Sequence, residues 1–102
     1  MAQHVTFWRM KVQPGKMDEF KALMDSRQEE ARIRATGWVQ TVVGERKESP
    51  EEIWGAVTWD TSENYHKNAA SPDQNQWYEK MRALLSADPE WFDCNVVQDA
   101  HA

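Results

Sequence analysis

Apolar and polar positions alternate over residues 4–12, with Val5, Phe7, Arg9 and Lys11 on one side and Thr6, Trp8, Met10 and Val12 on the other. A period of two marks a strand, and this one carries apolar groups on both faces. Pro14-Gly15 ends it. The period then changes, because Met17, Phe20, Leu23, Met24 and Ala31 recur three or four residues apart and predict an amphipathic helix of about five turns. Gly37 suits the left-handed residue that closes a helix, and alternation resumes over 38–45 as a second strand. The polar run 46–52, with Ser49-Pro50 as a turn signal, reads as a link to a third strand over 53–59. Asp60 and Glu63 have capping-box spacing for a helix carrying Tyr65, His66 and Ala69, which Ser71-Pro72 interrupts. Ser71 can cap a restarted helix with Pro72 at its first position. Its stripe is Trp77, Met81, Leu84 and Leu85, and Asp88-Pro89 should stop it. Residues 91–98 form the last strand, with Phe92, Cys94 and Val96 on one side, and nothing orders the tail 99–102.

The order strand, helix, strand, strand, broken helix, strand predicts an α+β, ferredoxin-like βαββαβ fold with a four-stranded antiparallel sheet. Residues 1–102 are expected to form one domain with an ordered core over about 4–98, since folded domains cluster at roughly 100–150 residues. Two helices cover only one face of such a sheet. Phe7 and Trp8 project to opposite faces, as do Trp54 and Val57, so the second face is apolar too. An apolar face of that size predicts a homodimer packed sheet against sheet, a dimeric α/β barrel.

Composition narrows the partners. Twelve basic against seventeen acidic residues leave a net charge of -5, which disfavours a sequence-independent nucleic-acid surface. No apolar run approaches a membrane span and the N-terminus lacks a signal peptide's apolar stretch, so a cytoplasmic location is expected. Cys94 is alone and His4, His66 and His101 are far apart, so neither an internal disulfide nor a zinc site is expected. Cys94, flanked by Phe92 and Val96, is expected to be a small buried hydrophobe. Apolar residues make up only 40% of the chain, yet six are tryptophan. Trp38, Trp54 and Trp91 are assigned chiefly to sheet faces or the dimer seam, and Trp8, Trp59 and Trp77 to the layer between sheet and helices.

Several short motifs then gather: Val12-Gln13-Pro14-Gly15, the helix opening Met17-Asp18-Glu19-Phe20, Thr36-Gly37-Trp38, the stretch from Thr58 to Tyr65, and Ala70-Ser71-Pro72. With them the chain resembles the antibiotic biosynthesis monooxygenase family over residues 5 to 98. The resemblance implies a site between the sheet and the helices of each subunit. It implies activities ranging from cofactor-free oxygenation of aromatic polyketides and quinols to haem degradation and isomerisation. Trp59 and Tyr65 match residues that line the site in a family oxygenase of aromatic polyketides, whereas Gly55 and Ala56 stand where that site has polar groups. The haem-degrading branch needs an Asn, a Trp and a His where Trp8, Asn68 and Trp77 stand here, so no haem, and no other cofactor, is expected.

The candidate site residues each have an ordinary alternative. Trp59 either walls a planar substrate or caps the core, and Tyr65 either hydrogen-bonds a substrate oxygen or anchors helix to sheet. His66, the side chain nearest the site with a near-neutral titration, is the candidate base, but on a helix it points about 100° away from Tyr65. Asn68 shares Tyr65's face and could orient a carbonyl. Trp8, Trp77 and Met81 either shape a flat slot or fill it. Arg9 and Lys11 should face away from Trp8 and pair with acids such as Glu45. The reading is a cofactor-independent monooxygenase acting with O2 on a small electron-rich aromatic or quinol, with Tyr65 and His66 catalytic and Trp59, Trp8, Asn68, Trp77 and Met81 holding substrate. The alternatives are a non-catalytic dimeric binding or stress-related protein, and an isomerase of a small hydroxy-ketone. An open cavity beside Trp59 and Tyr65 separates both enzymes from a filled core.

Overall fold

The computed structural model describes residues 3–102. The elements follow the expected order: β1 (His4–Lys11), α1 (Met17–Arg34), β2 (Trp38–Arg46), β3 (Ser49–Trp59), α2 (Ser62–Ala69), α3 (Pro72–Arg82) and β4 (Glu90–Asn95). The strands form one antiparallel sheet in the order β2-β3-β1-β4, the α+β ferredoxin-like arrangement. The helices lie on the face that carries Trp8 and Met10 of β1, Val12 just beyond it and Ile53 of β3. Phe20 of α1, Met81 of α3 and Leu85 complete a core buried to 2% exposure or less apart from Trp8 at 4%.

Four boundaries differ from the sequence expectation. Residues 46–52 are not a loose link: β2 and β3 form a tight hairpin with Arg46 paired opposite Ser49 and the Arg46 guanidinium 3.1 Å from Glu52. Pro50 is tolerated there because it precedes the ladder with β1, which begins at Glu52. α3 ends at Arg82, well before Asp88-Pro89, because the end of β1 captures the chain. Gln13 N donates to Leu84 O and Ser86 N to Lys11 O, both at 2.9 Å, and Leu85 bridges Val12. β4 stops at Asn95, the partner of His4 at the start of β1. Finally, Thr61 rather than Asp60 caps α2, accepting from Asn64 N at 3.1 Å, while Asp60 accepts from the Asn64 side chain. Ser71 caps α3 by accepting from Gln74 N, with Pro72 in the first turn, as its sequence position requires.

The other sheet face carries no helix. A row runs straight across it through Val42, Ala56, Phe7 and Phe92, each opposite the next, with Trp54 beside it. Phe7, Val42, Trp54 and Phe92 are all exposed in the single chain. Arg9 lies over the Trp54 ring at 5.4 Å and pairs with Glu90, whereas Glu45 pairs with Lys21 of α1 at 2.5 Å. Cys94 is on this uncovered face and is exposed, not buried, because the helices pack on the other side of the sheet.

Candidate functional site

Between the sheet and the helices lies an open cavity of about 440 Å³. Its wall is aromatic: Trp8, Trp38, Trp59, Trp77 and Trp91 line it, five of the chain's six tryptophans. Trp91 stands directly opposite Trp8 across the β1–β4 ladder and so shares its face. Trp38 reaches the same face because the β2–β3 register shifts between Trp38 and Gln40. Of the two places expected for Trp38 and Trp91, sheet faces or the dimer seam, both take the sheet face that the helices cover, and only Trp54 lies on the uncovered face. Strand alternation separates two faces without saying which one the helices cover.

Trp8 keeps its position through a glycine. Gly55 is its cross-strand partner, and a Cβ built on Gly55 would sit 2.1 Å from Cζ2 of the indole. The ring thus lies flat on the Gly55 backbone, in the space that a side chain at position 55 would take. A similar close approach occurs at Gly37, whose φ of 86° and contacts with Asp60 and Asn64 leave no room for a Cβ. Asp60 N donates to Gly37 O at 2.8 Å, which holds the start of β2 against the end of β3 beside Trp59.

Two polar groups of side chains interrupt the aromatic wall. On the sheet side, the Thr6 hydroxyl donates to Asp93 Oδ1 at 2.7 Å, and His4 Nε2 lies 2.8 Å from Thr6 Oγ1. The Tyr65 ring stacks on His4 with centroids 3.9 Å apart and planes 14° from parallel. Burial, and the nearby Asp93 carboxylate, push the Tyr65 phenol above the usual tyrosine range, with the Thr6 hydroxyl pulling the other way. Tyr65 therefore remains a protonated donor across the physiological range. On the helix side, Arg27 donates to Gln74 Oε1 from Nε at 3.1 Å and from Nη2 at 2.7 Å, and to Asn68 Oδ1 at 2.8 Å. One guanidinium thus ties α1 to α2 and α3 and leaves Asn68 already engaged.

Of the site residues named from sequence, Trp8, Trp59, Tyr65, Asn68 and Trp77 lie together in the cavity wall. Met81 does not: it is fully buried in the core below. His66 is exposed and outside the wall, as its angle from Tyr65 on the helix requires. His4, Thr6, Arg27 and Asp93 were missed. The alternation placed His4 and Thr6 on the face of Trp8, and Asp93 on the face of Trp91, but their meeting depends on the pairing of β1 with β4. Among the described residues no group of three or more His, Cys, Asp or Glu is placed to hold a metal ion.

The phenol's environment makes one expectation. Because the folded state holds the Tyr65 proton more tightly than the unfolded chain does, its contribution to stability is complete below the ordinary tyrosine value and is lost as pH rises through the raised one. Alkaline ultraviolet titration should show one of the two tyrosines ionising late, and Asp93→Asn should bring it part of the way back. An unchanged titration in that variant would separate the two side chains.

No protein-family model matches the chain, and no curated protein does. Solved structures do. A variant of SnoaB, a cofactor-independent oxygenase from Streptomyces nogalater, superposes with a TM-score of 0.83 at 16% identity over 97% of both chains. A protein named provisionally as an antibiotic biosynthesis monooxygenase from Caulobacter crescentus CB15 gives a TM-score of 0.86 at 12% identity, over 95% of this chain and 92% of its own. The fold is that of the antibiotic biosynthesis monooxygenases. A conserved protein from Methanosarcina mazei Go1 shares this fold at a TM-score of 0.82 and 20% identity, over 92% of each chain. At such identities the likeness is one of architecture, and chemistry has to be argued from the cavity. No helix among the described residues is long and apolar enough to cross a membrane.

Proposed function

We propose that the protein is a cofactor-independent monooxygenase that uses O2 to oxidise a small, planar, electron-rich aromatic such as a phenol, hydroquinone or anthrone. The open cavity between sheet and helices carries the reading. Tryptophan faces on several sides suit a flat ring, and the volume of about 440 Å³ falls in the range of small-molecule sites. The similarity to a cofactor-independent oxygenase agrees with it. Such substrates supply their own electrons, so the protein has to orient the ring, exclude water, accept a proton and stabilise the oxyanion. Tyr65 is the oxyanion donor, and the tryptophans are the walls. We further propose that the working unit is a homodimer joined through the uncovered sheet face, since an unpartnered row of Phe7, Val42, Phe92 and Trp54 is unusual in a monomer.

Oxygen consumption with phenols, hydroquinones and anthrones, in buffer stripped of metals and without flavin, tests the activity. Uptake with quinone as product is expected, and Tyr65→Phe should lower turnover by about 100-fold. Tight binding of these compounds without any oxygen uptake would instead identify a binding protein.

A further inference from the structure

His4 opens β1, is 5% exposed, and lies behind Tyr65, on which it stacks. Its Nε2 is 2.8 Å from Thr6 Oγ1 and 3.6 Å from Asp93 Oδ1. The Thr6 hydroxyl proton is directed to Asp93 Oδ1, so toward His4 the Thr6 oxygen acts as acceptor and the imidazole Nε2–H as donor. Thr6 and Asp93 are direct cross-strand partners, which fixes this geometry in the sheet rather than in a loop. Asp93 itself is half exposed and is the single carboxylate in the cavity wall. A carboxylate held by one hydroxyl, beside an imidazole and a phenol, at the edge of an aromatic slot, is more organised than an ordinary surface acid.

We propose that Asp93 is the proton acceptor of the cavity, with Thr6 and His4 as the positioning residues that hold it and Tyr65 as the neighbouring donor; this assignment rests on the oxygenase reading. A phenol is a far weaker acid than a carboxylic acid, by about six pH units, so Asp93 does not ionise the resting substrate. It accepts a hydrogen bond from the substrate O–H. When one electron passes to O2, the oxidised ring becomes a strong acid and its O–H proton moves to Asp93, leaving a neutral substrate radical and superoxide. These combine through a new C–O bond at a hydrogen-bearing ring carbon ortho or para to the oxygen, and the terminal peroxide oxygen takes the proton back from Asp93. Asp93 then removes the C–H proton from that carbon. The O–O bond breaks as the carbonyl forms, and the departing hydroxide leaves with the same proton as water. One oxygen atom of O2 enters the product, the other becomes water, and Asp93 ends as it began. The titratable or charged groups facing Asp93 are His4 on β1, Tyr65 on α2 and, across the cavity, Arg27 on α1; His66 stands 6.5 Å from His4 on the outer side.

The test uses 4-nitrophenol, whose phenolate is yellow and whose hydroxyl titrates near neutral pH. With the wild-type protein, the bound phenol should ionise at higher pH than the free compound, because the Asp93 charge accepts from the neutral form and repels the phenolate. Asp93→Asn should lower that value by about one unit, a tenfold change in proton affinity. Thr6→Val and His4→Gln should move it in the same direction by less, and Thr6→Ser should restore it, which a purely structural role for the hydroxyl does not predict. An Asp93→Asn titration that matches wild type, or a wild-type protein that binds neither form, overturns the assignment. In oxygen uptake, Asp93→Asn should lower kcat by about 100-fold and change KM less than threefold. Full turnover in this variant would also overturn the proposal. A wild-type protein that binds nitrophenol with the raised titration but consumes no oxygen would refute the oxygenase reading alone.

Discussion

Gly55→Val is expected to destabilise the protein by about 3 kcal/mol, the upper end of what overpacking usually costs. The Cβ would lie 2.1 Å from Trp8 Cζ2, 2.3 Å from Cε2 and 2.8 Å from Cη2. These are atoms of a rigid bicyclic ring, so no small rotation relieves the clash. Trp8 is 4% exposed and bounded by the core, so the one direction open to its ring is into the cavity. The substitution should therefore both lower stability and occlude the site, and the two effects have one origin. A double-mutant cycle separates this contact from a general loss of strand quality. Gly55→Ala should cost less when Trp8→Leu is already present, with a coupling of about 1–2 kcal/mol by urea denaturation. Strictly additive costs in that cycle would mean that the indole does not rest on the glycine.

Placing glutamate at both Phe7 and Phe92 should turn the proposed dimer into a monomer that still folds. The two rings are paired across β1 and β4 on the uncovered face, Phe7 on an inner strand and Phe92 on the edge strand, about half exposed in the single chain. Four strands about 4.8 Å apart and about eight residues long present roughly 500 Å². Two such faces bury about 1,000 Å², the lower bound for a stable interface. Carboxylates placed on that face would be desolvated without partners in the interface, and each costs several kcal/mol, so association should weaken by about 1,000-fold or more. Sedimentation at micromolar concentration reads the change. Cys94 lies on the same face, so its reaction with a thiol reagent should be slow in the wild type and fast in the variant. A wild-type chain that sediments as a monomer would contradict the dimer directly.

Much of this architecture was legible before any coordinates. The alternation of Thr6, Trp8, Met10 and Val12, the helical spacing of Met17, Phe20 and Leu23, and the Ser71-Pro72 restart are local signals, and local backbone preferences are enough to produce them. Where a distant segment competed for the same backbone groups, local signals misled. Leu84 and Leu85 continue a helical stripe, yet the chain there serves the end of β1 instead. The polar stretch after β2 looks like a loop until Arg46 finds Glu52.

By itself the sequence determined the element types, their order, the α+β ferredoxin-like class and the two-faced character of the sheet. All of these follow from periodicity along one strand or helix at a time. Only the tertiary structure decided that five tryptophans surround a cavity instead of filling it, that Met81 belongs to the core and that His66 stands outside the wall. The same holds for the Thr6–Asp93 pair with His4 beside it, whose members are separated by most of the chain. Their meeting depends on the β1–β4 register, and a register is set by packing across strands, which no periodicity within a single strand encodes.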